Sequence, residues 1–180
     1  QNNNELLQRL IADVLDLSKI ESNSMPLIYK DQDIPTLMKE IYSMILLRMH
    51  EGVELELYDC EELVMETDRN RLTQILTNLL TNAIKYTDKE EGHIDISIEE
   101  SEKMIKVSIN DDGRGIDKES LPHIFDRTYR ADNARRSRGG SGLGLAICKK
   151  IVEEHGGKIW ATSTKGEGTT IYFTLKKYIK

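Results

Sequence analysis

The sequence is poor in cysteine and aromatic residues, and it contains no long apolar run. Two cysteines, Cys60 and Cys148, are too few for a disulfide framework and lack metal-site spacing, which favours a reducing compartment. The longest apolar runs, such as residues 44–47, have four residues, whereas a membrane-spanning helix needs roughly 18 or more. The net charge of −6 disfavours a general nucleic-acid-binding protein. A chain of 180 residues is then one globular domain, or one domain with a short appendage.

The N-terminal segment predicts a helix with a coiled-coil-type apolar seam. Its members are spaced three, four and three residues apart, at Leu7, Leu10, Val14 and Leu17. Residues 22–26 end in Pro26, which stops the helix. We therefore expect a helical segment over residues 1–24 and a second unit over residues 25–180. Because the chain begins at Gln1 rather than Met, we expect it to be a fragment of a longer protein.

The second unit mixes helices and strands without strict alternation. Its periodicity predicts helices over residues 34–50, 68–86 and 143–154, and strands at 27–29, 53–57, 63–65, 93–99, 104–110, 158–163 and 169–175. Asp68 is a suitable N-cap for the second of these helices. The pattern predicts an α+β two-layer sandwich, in which one mixed sheet carries the helices on one face.

Two polar clusters could bind a ligand. Asn78, Asn82 and Lys85 share one face of a predicted helix, where amide oxygens suit Mg²⁺ and lysine suits phosphate. Taken alone, Asn-x-x-x-Asn favours a solvated helix face. Asp111-x-Gly113-x-Gly115 follows a strand, so a ligand could approach its backbone, although a simple hairpin exit explains the pattern equally well.

Two further clusters lie closer to the C terminus. Gly140-x-Gly142-x-Gly144 opens a helix whose backbone N–H groups suit an anion, but neither the Walker A pattern nor the dinucleotide fingerprint fits the residues around it. The preceding segment, residues 127–138, holds five arginines against one acid, Asp132. It is either an exposed loop or a cationic lid over phosphates.

Together these clusters resemble the catalytic and ATP-binding domain of sensor histidine kinases, in the superfamily of gyrase B, Hsp90 and MutL. Residues 78–87, 111–116, 124–132 and 140–147 look like the N, G1, F and G2 boxes, in the family's order. The resemblance extends over about residues 25–177 and implies a Bergerat-type ATP-binding fold. The leading helix is similar to the second helix of the family's dimerisation and phosphotransfer hairpin.

The resemblance implies a role for each matching residue. Asn82 would ligate Mg²⁺, with Asn78 beside it as a second candidate ligand, and Lys85 and Arg130 would contact phosphate. Asp111 would accept a hydrogen bond from the exocyclic amine of adenine. The other implied nucleotide-binding positions are Tyr86, Gly113, Gly115, Ile116, Gly140, Gly142, Leu143, Gly144, Leu145 and Thr169. The F box departs from the family at Thr128, where a second Phe is usual.

The implied function is transfer of the γ-phosphate of ATP to a histidine, and from there to a response-regulator aspartate. His50, His93, His123 and His155 all lack the acceptor context, so the acceptor would precede Gln1 on the missing first helix. The expected partners are that hairpin, a receiver domain and a second copy in the full-length chain, with no nucleic acid. The domain would be cytoplasmic, and membrane anchoring of the parent protein stays open. An ATP-hydrolysing switch and an ATP-sensing module without chemistry remain as alternatives.

Overall fold

The computed structural model describes residues 2–22, 26–49, 51–58, 62–127, 129 and 142–178. Its helices are α1 (Asn2–Glu21), α2 (Ile34–Leu46), α3 (Arg69–Tyr86) and α4 (Gly144–Glu154), with a short 3₁₀ helix at Leu121–His123. Its strands are β1 (Lys30–Asp33), β2 (Val53–Tyr58), β3 (Val64–Thr67), β4 (Gly92–Glu100), β5 (Met104–Asp111), β6 (Ile159–Thr164) and β7 (Gly168–Lys176).

Five strands form a mixed sheet in the order β2-β4-β5-β7-β6, which confirms the predicted fold class. Strands β2 and β4 are parallel, whereas the other neighbouring pairs are antiparallel. A second sheet, which the sequence did not predict, pairs β1 with β3 in antiparallel register. The strand expected at 27–29 lies instead at Lys30–Asp33, because only from Lys30 onward does the chain pair with β3.

The helices cover one face of the five-stranded sheet. Alternate residues of β4, β5 and β7 enter the shared core with α2, α3 and α4, namely Ile94, Ile96, Ile105, Val107, Ile109, Ile171, Phe173 and Leu175. The opposite face bears polar side chains and a stacked pair, Trp160 and Tyr172, whose ring centroids lie 5.3 Å apart. The period-two pattern of the sequence therefore predicted the buried face correctly.

The C-terminal end of α2 differs from the prediction, whereas the N-terminal end of α3 agrees with it. Helix α2 ends at Leu46, four residues earlier than predicted, and the N–H groups of Arg48 and Met49 bond back to Ile45 and Leu46 in tighter 3₁₀ turns. Helix α3 begins as predicted, with the Asp68 carboxylate accepting from the N–H groups of Asn70 and Arg71.

Helix α1 leaves several of its described apolar side chains uncovered. Leu17 packs against the core, but Leu7, Ile11, Val14 and Leu15 are each more than half exposed. Within the described residues, no helix combines the length and apolar character needed to cross a membrane.

Candidate functional site

Helix α3 provides the polar face on which the site is built. Its apolar positions, Leu72, Ile75, Leu76, Leu79 and Leu80, are buried against the sheet and the neighbouring helices. Asn78, Asn82 and Lys85 lie beside this buried stripe and are half-buried. The helical period thus places two neutral amides and one ammonium group on a single, partly accessible face, as the sequence predicted.

The start of α4 lies directly against this face. A Cβ atom added to Gly144 would be 3.7 Å from Cγ of Asn78, which is ordinary van der Waals contact. Gly142 has φ +72°, a conformation that favours glycine, and Leu143 is buried. The backbone N–H groups that open α4, and the positive end of its dipole, therefore lie next to Asn78. Leu145 follows in the first turn and is half-buried.

At its C-terminal end α3 meets the Asp111 turn. The N–H of Arg114 donates to the carbonyl of Tyr86 over 3.1 Å. A Cβ atom at Gly113 would lie 2.3 Å from that same carbonyl oxygen, so only glycine permits the approach. A Cβ atom at Gly115, where φ is +66°, would meet the carbonyl of Thr164 at 2.1 Å. Both glycines are therefore required by close backbone contacts that join α3, β5 and the β6–β7 turn.

Asp111 is a buried carboxylate at the end of β5. Only 8% of its surface is exposed, and its Oδ1 accepts from the N–H of Gly113 over 3.0 Å. Burial raises the pKa of Asp111 to about 6, while backbone hydrogen bonds from Gly113 and Thr169 act in the opposite direction. Thr169 is its partner in the β5–β7 register, so the structure brings these two predicted residues together.

Two further residues, Ser163 and Arg114, complete this part of the molecule. The Ser163 hydroxyl accepts from the Ile116 N–H at 2.8 Å and lies 2.9 Å from the Thr169 hydroxyl. Ser163 is not among the predicted site residues, although the pairing of β6 with β7 places it directly opposite Thr169. Arg114 is not among them either, and its guanidinium carbon lies 4.5 Å from the centre of the Tyr86 ring. The Tyr86 ring also has the Lys85 ammonium 5.1 Å from its centre.

Some predicted site residues fall outside the described part of the chain. Arg130 and Gly140 are among them, as are Thr128 and most of the arginine-rich segment. Among the described histidines, His123 bonds to Asp126 at 2.9 Å, and His155 is buried beside the carbonyl of Ile151. Burial lowers the pKa of His155.

The polar side chains on α3 suit a metal ion that takes most of its oxygen ligands from a bound small molecule rather than from the protein. The described residues include no group of three or more His, Cys, Asp and Glu side chains that could hold a metal ion. Asn78 and Asn82 offer neutral amide oxygens, which are hard donors of the kind that Mg²⁺ accepts beside phosphate oxygens. The residues therefore fit a magnesium ion carried in with a polyphosphate.

A separate cleft of about 480 Å³ opens beside the first half of α3. It runs from Pro26 and Ile28, which precede β1, past Asn70 and Gln74 to Asn78. Asp111 and Asn82 do not line it. The cleft thus approaches the polar face of α3 from the N-terminal half of that helix, away from the Asp111 turn.

Known proteins share the combination of α3, the Asp111 turn and α4. Residues 67–179, which include α3, the Asp111 turn and α4, match the family model described as histidine kinase-, DNA gyrase B- and HSP90-like ATPase. The chain belongs to this family.

Similar proteins belong to one group within this family, the sensor histidine kinases. The chain is 42% identical over 180 residues to the sensor histidine kinase WalK of Bacillus subtilis, an alignment that covers 97% of this chain and 29% of that protein. Within the ATPase family, the chain is thus a catalytic, ATP-binding domain of the sensor histidine kinase type, and it spans less than a third of that relative.

Solved structures agree with this assignment. Full-length ShkA in complex with AMPPNP superimposes with a TM-score of 0.85 at 26% identity, over 96% of this chain and 36% of ShkA. The histidine kinase ThkA, in complex with the response regulator TrrA, gives a TM-score of 0.75 at 29% identity. That match covers 97% of this chain and 49% of ThkA.

Proposed function

We propose that the chain binds ATP with Mg²⁺ and transfers the γ-phosphate to a histidine on a dimerisation hairpin. The phosphoryl group would then pass to a response-regulator aspartate. The observation that carries the proposal is the position of α3, which has the start of α4 beside Asn78 and the Asp111 turn at its end. The ShkA complex with AMPPNP supports the nucleotide, and the ThkA complex with TrrA supports the type of partner.

The adenine would bind at the Asp111 turn. An ionised Asp111 accepts a hydrogen bond from the exocyclic amine. Gly113 and Gly115 shape the turn beside the base, because their missing side chains admit the backbone of Tyr86 and Thr164 rather than the base itself. Ile116 and Thr169 line the same end of the sheet, linked through Ser163. We place Tyr86 next to the base, with Arg114 stacked on its ring.

The triphosphate would extend from this turn towards α4. Asn82 ligates Mg²⁺ with Asn78 beside it, and Lys85 supplies positive charge to the phosphates. The backbone N–H groups of Gly142, Leu143 and Gly144 bind phosphate oxygens, with Leu145 next to them. Gly140 and Arg130 keep the phosphate-binding roles that the resemblance implies. Transfer in such a site depends on positioning and on charge neutralisation.

Residues 1–24 would be the C-terminal helix of the dimerisation hairpin, and residues 25–180 the catalytic domain. The exposed apolar stripe of α1 supports this division, because a bundle helix requires partners for such a surface. We propose a homodimer in the full-length protein for the same reason. Because ATP is the phosphoryl donor, we propose that the domain works in the cytoplasm.

The test is incubation with γ-labelled ATP and Mg²⁺, alone and with a separate hairpin that carries the acceptor histidine. We expect no acid-labile label on the chain alone, and slow labelling of the hairpin in its presence. Acid-labile phosphate on the chain alone would contradict the proposal, since one of its four histidines, His50, His93, His123 or His155, would then be an acceptor. Release of free phosphate without hairpin labelling would instead indicate an ATP-hydrolysing switch.

A further inference from the structure

The segment that enters the catalytic domain from α1 is held by one buried carboxylate. The N–H of Ile28 donates to Oδ2 of Asp68 over 2.8 Å. The other oxygen of Asp68 accepts from the N–H groups of Asn70 and Arg71, at 3.0 and 3.1 Å. Asp68 is 5% exposed. A single side chain thus joins the incoming segment to the first turn of α3, and N-capping requires only one of its two oxygens.

The next residue, Tyr29, is fixed on the opposite side of the same segment. Its ring meets His155 edge-on at 5.5 Å and Tyr178 at 5.2 Å, and its hydroxyl lies 3.5 Å from the carbonyl of Glu154. Residues 28 and 29 are therefore attached to the beginning of α3 and the end of α4, respectively. Since both helices carry parts of the proposed ATP site, the segment is fixed relative to that site.

Helix α1 contacts the same part of α3. Gln74 donates from Nε2 to Asp16 at 2.8 Å, and Nη1 of Arg71 lies 3.6 Å from the same carboxylate. Gln74 is one helical turn before Asn78. The cleft described above is lined by both Arg71 and Gln74 and extends to Asn78. The first two turns of α3 thus receive both α1 and the segment that follows it.

We propose that Asp68 is a positioning residue for phosphoryl transfer. By holding Ile28, it sets where α1, and the hairpin of which α1 would be part, stands relative to Asn78. The inference rests on the proposed function, since it requires an acceptor histidine on that hairpin. Transfer depends steeply on the geometry of donor and acceptor, so a looser connection lowers the rate without altering the nucleotide site.

The variant D68N separates the two tasks of Asp68. Its amide oxygen can still cap α3, but its NH₂ group then faces the Ile28 N–H, and two donors cannot bond. Asp33, which caps α2 through the Thr36 N–H, provides the matched control D33N. I28P removes the donor and leaves Asp68 untouched, so it should reproduce the effect of D68N on transfer.

The experiment uses a protein that carries this chain together with its hairpin. We expect D68N and I28P to slow single-turnover transfer about tenfold, the effect of losing one hydrogen bond to a charged group, with the Kd for ATP·Mg²⁺ unchanged. Amide exchange at Ile28 should be at least about tenfold faster in D68N, because that N–H loses its acceptor. D33N should change neither transfer nor exchange at Ile28.

Two results would overturn the positioning role. One is unchanged transfer in D68N despite faster exchange at Ile28, and the other is unchanged exchange at Ile28. A parallel loss of ATP affinity and thermal stability would show a purely structural role instead. Absence of transfer in the unaltered protein would overturn the proposed function itself, and the exchange data would still report whether Asp68 holds Ile28.

Discussion

The two halves of the proposed ATP site are built differently. At the Asp111 turn, a buried carboxylate already bonds to the Gly113 N–H, and glycines permit backbone contacts that any side chain would block. On the α3 face, Asn78 and Asn82 are half-buried amides. Asn78 lies beside the start of α4, with no comparably close contact at Gly144. The comparison suggests that the Asp111 turn determines which base binds, whereas the α3 face depends on Mg²⁺ and phosphate to complete it.

The largest expected effect concerns the choice of base. ATP should bind more tightly than GTP by at least about 2 kcal/mol, because guanine presents a carbonyl to the Asp111 carboxylate and leaves two acceptors facing each other. In Asp111→Asn the amide can donate to that carbonyl, so the preference should largely disappear. Titration calorimetry with both nucleotides measures the ratio.

Asp112→Asn is the matched control, since it alters the adjacent, more exposed carboxylate. It should preserve the preference for ATP. Equal affinities of the unaltered protein for ATP and GTP would refute the role given to Asp111.

A smaller effect is expected on the α3 face. Asn82→Ala should raise the Kd for ATP·Mg²⁺ about tenfold, the effect of losing one interaction with a charged group, and should leave binding of metal-free ATP nearly unchanged. Asn70→Ala removes an amide from the exposed start of the same helix and should have no effect. If Asn82→Ala weakened both forms of ATP equally, the residue would not be a metal ligand.

The smallest expected effect is the pH dependence of ATP binding. Because burial raises the pKa of Asp111 to about 6, the carboxylate is ionised at pH 7.5 and becomes protonated as the pH falls through about 6. Its charged acceptor is then lost, so affinity should fall by about fivefold between pH 7.5 and 5, less than the roughly tenfold fall in ionised carboxylate. The difference between the unaltered protein and Asp111→Asn isolates this contribution from titration of the nucleotide. Identical pH profiles would indicate that the charge of Asp111 plays no part in binding.

For the nucleotide-free protein the same pKa implies an opposite trend in stability. An ionised, buried Asp111 lowers the free energy of unfolding above about pH 6, since its pKa lies above that of an unfolded aspartate. This destabilisation is relieved as the pH falls from about 6 towards 4. Urea unfolding at pH 7.5 and 5 should therefore show the unaltered protein gaining stability relative to Asp111→Asn. A constant difference between the two would contradict the raised pKa.

Sequence patterns predicted the features that depend on local chemistry. Helix α3, its Asp68 cap and its Asn78–Asn82–Lys85 face follow from the helical period, and the buried faces of β4, β5 and β7 follow from alternation. The stacking of Arg114 on Tyr86, the bridging hydroxyl of Ser163 and the second bond of Asp68 could not be predicted. Each depends on segments distant in sequence approaching within a few ångströms, as does the parallel pairing of β2 with β4.

We propose that ATP·Mg²⁺ binds along α3, between the Asp111 turn and the start of α4. Amide chemical shifts during nucleotide titration test it most directly. Adenosine alone should move the amide signals of Gly113 and Thr169, and ATP·Mg²⁺ should extend the changes to Asn82 and Gly144. Changes confined to Ile28 and Asn70, at the cleft beside the start of α3, with Gly113 and Gly144 unmoved, would contradict this placement of the nucleotide.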